Sequence, residues 1–207
     1  MTLPGPIILG ETPIDLSHLT AEARAQGITN RRELSVLEAK NIATVFVKYL
    51  SAKPSSRLAP FTFKWALGLH QQMFCNVWRW AGRIRVHDVN IGDPHHNIRG
   101  ALFSLLEDLN SWSGYQMPLI EQAVRLHHRA VKIHPFPNGN GRWSRLLSNI
   151  WLKRNDVSLV LWPEELIGQQ SLIRDDYIAA IRDADSGDYE ALISMHVQYQ
   201  EKTASAE

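Results

Sequence analysis

Cysteine is almost missing from the 207 residues: Cys75 stands alone. A single thiol cannot close an internal disulfide, and it excludes a zinc site built on thiolates. Charge of one sign is not in excess either. The chain carries 22 Lys and Arg against 21 Asp and Glu, a formal net charge of +1, which is no electrostatic footprint for nucleic acid or an anionic membrane. Long hydrophobic runs are lacking as well. The N-terminal "IILG" is short and has no basic stretch before it, so neither a membrane span nor a secretory signal is expected. No repeat, low-complexity tract or linker divides the chain. These absences lead to the expectation of a cytoplasmic protein that binds neither nucleic acid nor membrane.

What is present is ordinary globular material, 44% hydrophobic and 21% charged, in a chain long enough to bury a core of its own. Residues 1–28 are rich in proline and short polar side chains and read as an N-terminal extended arm. From residue 29 the pattern turns helical. In "TNRRELSVLEAKNIATVFVKYLSAKP", Leu34, Leu37, Ile42, Val45, Phe46 and Tyr49 recur at helical spacing, and Pro54 closes the run. Asn30 stands at an N-cap position with Glu33 placed to complete a capping box. "FTFKWALGLHQQMFCNVWRW", "IRGALFSLLEDLNSW", "MPLIEQAVRLHHRAVKI", "RWSRLLSNIWLKRN" and two segments at about 163–182 and 188–201 supply further helices. Between the second and third lies "AGRIRVHDVNIGDPHH", where Ile84, Val86, Val89 and Ile91 alternate with polar residues. That alternation predicts one short β-hairpin, ended by Gly92 and Pro94. The expectation is an all-α fold with a single hairpin, the arm at 1–28 followed by one domain at 29–207.

The chemistry concentrates in "HPFPNGNGRWSR", His134 to Arg145. Pro135 and Pro137 forbid continuation of the helix that ends at Ile133. Gly139 and Gly141 admit left-handed backbone, so successive N–H groups can converge into an anion-binding nest. The helix that follows presents its own free N–H groups and positive dipole end to the same concavity. Arg142 and Arg145, three apart, share one face of it, and guanidinium groups suit phosphate oxygens. The sum is a cradle for a di- or triphosphate with a titratable base at its rim. A P-loop is excluded, because Arg142 and Trp143 stand where Lys and Ser/Thr are needed. A dinucleotide fold is excluded by Ser144 in place of a third glycine and by the helix before the turn.

This stretch resembles the signature of the Fic (filamentation induced by cAMP) family, His-x-Phe-x-(Asp/Glu)-Gly-Asn-Gly-Arg-x-x-Arg. Every element matches except the acidic one, which here is Asn138. The Asn variant is similar to a subfamily called mobile mystery protein B. "WRWAGRIRVHDVNIG" resembles the family's flap and "YIAAIRDADSGDYEALISMH" its closing helices. The resemblance implies a Fic-like helical bundle with a hairpin flap and transfer of AMP from ATP to a Ser, Thr or Tyr hydroxyl of a target protein. By the same resemblance His134 is the general base and Phe136 anchors the loop. Gly139, Asn140 and Gly141 hold phosphates through backbone N–H groups and the Asn140 amide. Arg142 and Arg145 take the β- and γ-phosphate regions. The flap, Arg85, Val86, His87, Asp88, Val89, Asn90, Ile91 and Gly92, takes the target segment as an added strand.

The missing carboxylate matters because the family's Asp or Glu ligates the Mg²⁺ on the nucleotide. Asn138 offers one neutral oxygen, which implies a weaker metal site. A transferase moving UMP or a phosphoryl group, and a weakened nucleotide-binding module of the toxin–antitoxin type, remain alternatives. Many members are restrained by a helix of pattern (Ser/Thr)-x-x-x-Glu-(Gly/Asn), whose glutamate pairs with the second arginine. Glu33 fits its first five positions from Thr29, though Leu34 breaks the last, and Glu38 is the other candidate on the helix. A separate inhibitory or antitoxin partner is the alternative restraint. Elsewhere, His127 reads as core and His128 as surface or a helix-capping neighbour. "PHH" at 94–96 reads as a loop, and the 7 tryptophans as packing rather than base-stacking platforms.

Overall fold

The computed structural model describes residues 15–112, 114, 116–167 and 171–200. Its helices run in the order α1 (Ala21–Ala25), α2 (Arg31–Leu50), α3 (Phe63–Phe74), α4 (Ile98–Trp112), α5 (Leu119–Ile133), α6 (Asn140–Arg154), α7 (Glu164–Ile167), α8 (Leu172–Asp185) and α9 (Glu190–Gln198). Local chemistry sets the starts. The side chains of Asn30, Thr62 and Ser171 accept the backbone N–H groups of Glu33, Trp65 and Arg174, capping α2, α3 and α8. Glu33 closes the α2 cap from the other side by accepting the Thr29 N–H at 2.7 Å.

The centre is α6, which buries Asn140 and every residue from Trp143 to Leu152. A helix buried on nearly all sides is surrounded by others, and α5, α2 and α3 pack against it. Burial of Trp143, Leu146, Leu147 and Ile150 fixes the axis from which Arg142 and Arg145 project. The indole N–H of Trp143 donates to the Ala66 carbonyl of α3 at 3.1 Å. No helix among the described residues is long and apolar enough to cross a membrane.

Two expectations change. The hairpin at 84–92 is absent: no strand is formed there, and β pairing among the described residues is limited to isolated bridges such as Leu19 with Trp78 and Val160 with Gln200. The alternation that suggested strands has another cause, since Arg85 turns inward and is buried while Val86 is left exposed. Of the supposed arm, residues 1–14 lie outside the described residues. Residues 15–28 are not extended. They form a 3-10 turn at Leu16–His18 and then α1, and Leu19 and Ala23 enter the core.

Three histidines are fully enclosed. His127 (α5), His196 (α9) and His70 (α3) have no exposed surface. His196 Nδ1 sits 2.8 Å from the Leu192 carbonyl, which accepts only, so Nε2 is the bare nitrogen facing His127 Nδ1 at 3.2 Å. His127 must then donate from Nδ1 and accept at Nε2 from the Tyr177 hydroxyl at 3.0 Å. The expectation for His127 agrees with this placement. His128 differs from its expectation: it is buried, 3.0 Å from the Asp185 carboxylate and 3.2 Å from the Tyr189 hydroxyl. Desolvation pushes His70 down to about 3 and His196 to about 4, and holds His127 well below 6.5.

Because the folded state keeps these rings neutral while the unfolded chain protonates them below 6.5, their stabilisation is intact above that pH. It is lost progressively as pH falls towards the folded values, at about 1.4 kcal/mol per pH unit for each ring. Urea unfolding is expected to take up protons increasingly as pH falls from about 7 to about 5, these three rings alone contributing nearly three per molecule unfolded. A pH-independent midpoint would contradict the buried neutral cluster.

Candidate active site

Helix α5 stops at His134 because Pro135 follows, and the histidine adopts left-handed backbone, φ 51° and ψ 59°. Gly139, at φ 79°, is left-handed too and starts α6. A Cβ there would stand 2.6 Å from the Phe74 ring, so the position has room only for glycine. Between these hinges the turn is held from inside. Phe136, fully buried, stacks on His70 at 3.6 Å and meets Trp143 edge-on at 5.0 Å. The Asn140 side chain bonds both backbone groups of Phe136: Oδ1 accepts its N–H at 2.9 Å and Nδ2 donates to its carbonyl at 2.8 Å. His70 ties the turn to the next segment. The Gly82 N–H donates to His70 Nδ1 at 3.0 Å, which puts the ring proton on Nε2, and Nε2 donates to the Asn138 carbonyl at 3.0 Å.

The turn brings together the residues expected from the sequence. His134 lies at the end of α5, Asn138 and Gly139 in the turn, and Asn140, Gly141, Arg142 and Arg145 on the first turns of α6. The first N–H groups of α6 have no acceptor within the helix and face the turn's concave side, as at any helix N-terminus. The Arg142 guanidinium lies 4.9 Å over the Phe74 ring and donates to Glu38 Oε2 at 2.7 Å. Glu38 is itself buried and accepts the Trp78 indole N–H at 2.6 Å. Arg145 forks onto Glu164, with Nε 2.8 Å from Oε1 and Nη2 bonded to Oε2. The Arg145 guanidinium also lies 5.7 Å over the Tyr177 ring, so the buried cation abuts the Tyr177–His127–His196 chain.

His134 is half-buried. Desolvation lowers its pKa to about 4, a hydrogen bond to the Val131 carbonyl opposes the shift, and the Arg85 cation adds to it. At neutral pH the imidazole is therefore uncharged and able to take a proton.

Several expected roles move. The Asn140 amide is spent on Phe136 and is buried, so it shapes the turn rather than binding phosphate. Arg85 is buried with its guanidinium on backbone carbonyls, so it is withdrawn from a docking surface. Glu33 bonds Thr29 at the start of α2 and does not meet either arginine of the motif. Glu38 does reach the site, but on the first arginine, while Glu164 holds the second. His95 lies 3.0 Å from Asp88 Oδ1, and no group of three metal-type ligands occurs among the described residues.

The Asn138 oxygen turns back to accept the Gly139 N–H at 2.6 Å, and the nearby carboxylates of Glu38 and Glu164 are occupied by arginines. This donor set does not fit a resident Mg²⁺. Sequence reading missed His70, Tyr177 and Glu164. His70 had a signal, a histidine in register with the core positions Ala66, Leu69, Met73 and Phe74; Glu164 gave none.

Replacing Asn140 with Ala orphans the buried Phe136 N–H and carbonyl, and should lower unfolding free energy by about 2–4 kcal/mol in urea titrations. A loss below about 0.5 kcal/mol would mean that Asn140 does not hold the turn.

A sequence profile described as the Fic/DOC family matches residues 60–152. The protein adenylyltransferase fic-1 of Caenorhabditis elegans is 31% identical over 126 residues, covering 58% of this chain and 23% of the relative. The protein adenylyltransferase Fic of Drosophila willistoni is 30% identical over 162 residues, covering 76% of this chain and 31% of the relative. The chain thus spans less than a third of the length of these curated relatives. Among solved structures, Fic-1 from C. elegans superposes with a TM-score of 0.63 and 24% identity over 86% of this chain and 53% of that one. BepC of Bartonella tribocorum, a VirB-translocated effector with bound AMPPNP, gives a TM-score of 0.63 and 14% identity over 92% of this chain and 99% of that one. These structural likenesses concern the fold. With the His134–Arg145 turn inside the matched span and the same helical fold around it, the chain carries a Fic/DOC-family domain over residues 60–152.

Proposed function

We propose that the protein transfers AMP from ATP to a hydroxyl of a target protein. The observation that carries this reading is a neutral imidazole, His134, at the rim of a turn whose far side is a helix N-terminus bearing two arginines on one face. The relatives named protein adenylyltransferase point the same way. In the reaction, His134 takes the proton of the acceptor hydroxyl as its oxygen bonds to the α-phosphorus. The bond from that phosphorus to the bridging oxygen of the β-phosphate breaks, and pyrophosphate leaves. Backbone N–H groups of Asn140, Gly141 and Arg142 face the phosphates, the Gly139 N–H being held by Asn138, with the Arg142 side chain towards the β- and Arg145 towards the γ-position. Residues 86–91 form the rim on which the target segment docks.

Phosphate must displace carboxylate to reach either guanidinium. Glu38 and Glu164 hold Arg142 and Arg145 at hydrogen-bonding distance, so the chain restrains its own cradle. A separate inhibitory or antitoxin partner would act by stabilising these pairs. Of the two, Glu164 is the looser, being exposed while Glu38 is buried. Mg²⁺ on this reading arrives with the nucleotide as its phosphate complex rather than in a protein site. The reading places the reaction in the cytoplasm, where ATP is supplied.

Incubation with α-³²P-ATP, using lysate or the protein itself as acceptor, is expected to label protein. His134→Ala should lower the rate by about 10²–10⁴-fold. Label appearing only from γ-³²P-ATP would replace AMP transfer with phosphoryl transfer. No label from either, with tight ATP binding, would leave a binding module. The acid limb of the rate should fall near pH 4, where His134 protonates; a midpoint near the ordinary 6.5 would remove the burial argument. Glu164→Gln should tighten ATP binding by about tenfold, as the loss of a competing carboxylate requires. Unchanged affinity would show that Glu164 does not compete.

A further inference from the structure

Arg85, read from the sequence as part of a docking flap, is one of the few buried charges among the described residues, 6% exposed. All three of its guanidinium nitrogens point at backbone carbonyls. Nε donates to the His134 carbonyl at 2.8 Å, Nη1 to the His87 carbonyl at 3.0 Å, and Nη2 to the Asp93 carbonyl. The backbone adds two more bonds across the same seam. The Arg85 N–H donates to the Pro135 carbonyl at 3.0 Å and the Asp93 N–H to the Ile133 carbonyl at 3.3 Å. Thus the carbonyls of Ile133, His134 and Pro135, which the end of α5 would leave without partners, are all taken by the segment 85–93. Gly92 seals the seam: a Cβ there would stand 2.4 Å from His134 Cβ and 3.2 Å from the Ile133 carbonyl oxygen.

This arrangement answers a question that the site raises. A histidine at φ 51° keeps a conformation that L side chains rarely adopt unless its surroundings over-determine it. The Asn140–Phe136 bonds fix the turn beyond it, but they do not touch His134. Arg85 does. Its fork also spans both ends of the loop, from His87 to Asp93, so the rim and the base are held by one side chain. A lysine cannot reproduce this, because one ammonium nitrogen cannot stand in for three spaced guanidinium nitrogens, each on a different carbonyl. The carboxylate of Asp88 stands 3.7 Å from Nη1 and is mostly exposed, so it is a neighbour rather than the main partner.

We infer that Arg85 is the positioning residue for His134: it clamps the rim loop to the backbone of the base, so that a target segment seated on that loop is set in register with the imidazole. The inference rests on the transferase reading for its consequence, and on the seam alone for its geometry. A target hydroxyl that docks on residues 86–91 then meets a base whose position was fixed by the same arginine, and nucleotide binding on α6 is left independent of it.

The test compares Arg85→Gln and Arg85→Lys with the parent protein by amide hydrogen exchange, ATP calorimetry and α-label transfer. Arg85→Gln is expected to speed exchange of the Asp93 amide by about tenfold or more while the Leu126 amide, inside α5, keeps its rate. ATP affinity should stay within about twofold, and label transfer should fall by about tenfold or more. Arg85→Lys should follow Arg85→Gln, since it keeps the charge and loses the fork. Unchanged Asp93 exchange in Arg85→Gln would overturn the clamp. So would equal acceleration at Asp93 and Leu126, which would mean general loosening, or parent-like behaviour of Arg85→Lys, which would make charge sufficient. The exchange measurement decides even where the parent transfers no label, so failure of the clamp and failure of the transferase reading are separable.

Discussion

The turn between α5 and α6 depends on one side chain closing on one backbone unit: Asn140 on the N–H and carbonyl of Phe136. A chain that leaves one helix through a left-handed histidine and enters the next through a left-handed glycine carries backbone groups that neither helix can satisfy. Asn140 supplies both a donor and an acceptor four residues on. Phe136 then drives its ring between His70 and Trp143, converting the polar closure into core packing. That placement aims the α6 N-terminus, on which Arg142 and Arg145, three apart, share a face, while the Arg85 seam sets the imidazole at the rim.

Electrostatics inside the fold obey a simple rule: buried cations are each given a partner, and buried histidines are kept neutral. Arg142 has Glu38, Arg145 has Glu164 and the face of the Tyr177 ring, and Arg85 has three carbonyls. His70 and His127 hold single tautomers because each ring nitrogen faces a group of fixed role. A buried charge without a partner is far costlier than one replaced by an apolar group. The carboxylates on the two arginines therefore stabilise the cradle, and phosphate oxygens are their natural replacements.

Much of this was legible in the sequence, and the reasons are local. The helices over 31–50, 98–112 and 119–133 follow from spacing, helped in the first by the Asn30 cap, and both act within one or two turns. The His134–Arg145 cradle was legible because its chemistry is written in twelve consecutive residues. What escaped depends on the direction a side chain takes once packed. Asn140 is as polar as a phosphate ligand, and nothing in its neighbours says that it faces the Phe136 backbone. Arg85 sits in an alternating segment that reads as a strand, yet the alternation records an arginine pulled into the seam beside α5 and a valine left in solvent. Glu164 reaches Arg145 across 19 residues, a separation at which sequence pattern carries no information.

The central claim is that phosphate binds in the α5–α6 turn on backbone N–H groups and arginines, with Asn140 held aside. Titration of ¹⁵N-labelled protein with ATP tests this directly by NMR. The account predicts the largest shifts at the backbone amides of Asn140, Gly141 and Arg142 and at Nε of Arg145 as it leaves Glu164, with the Asn140 side-chain amide unmoved. Shifts centred elsewhere, with these amides silent, would contradict it.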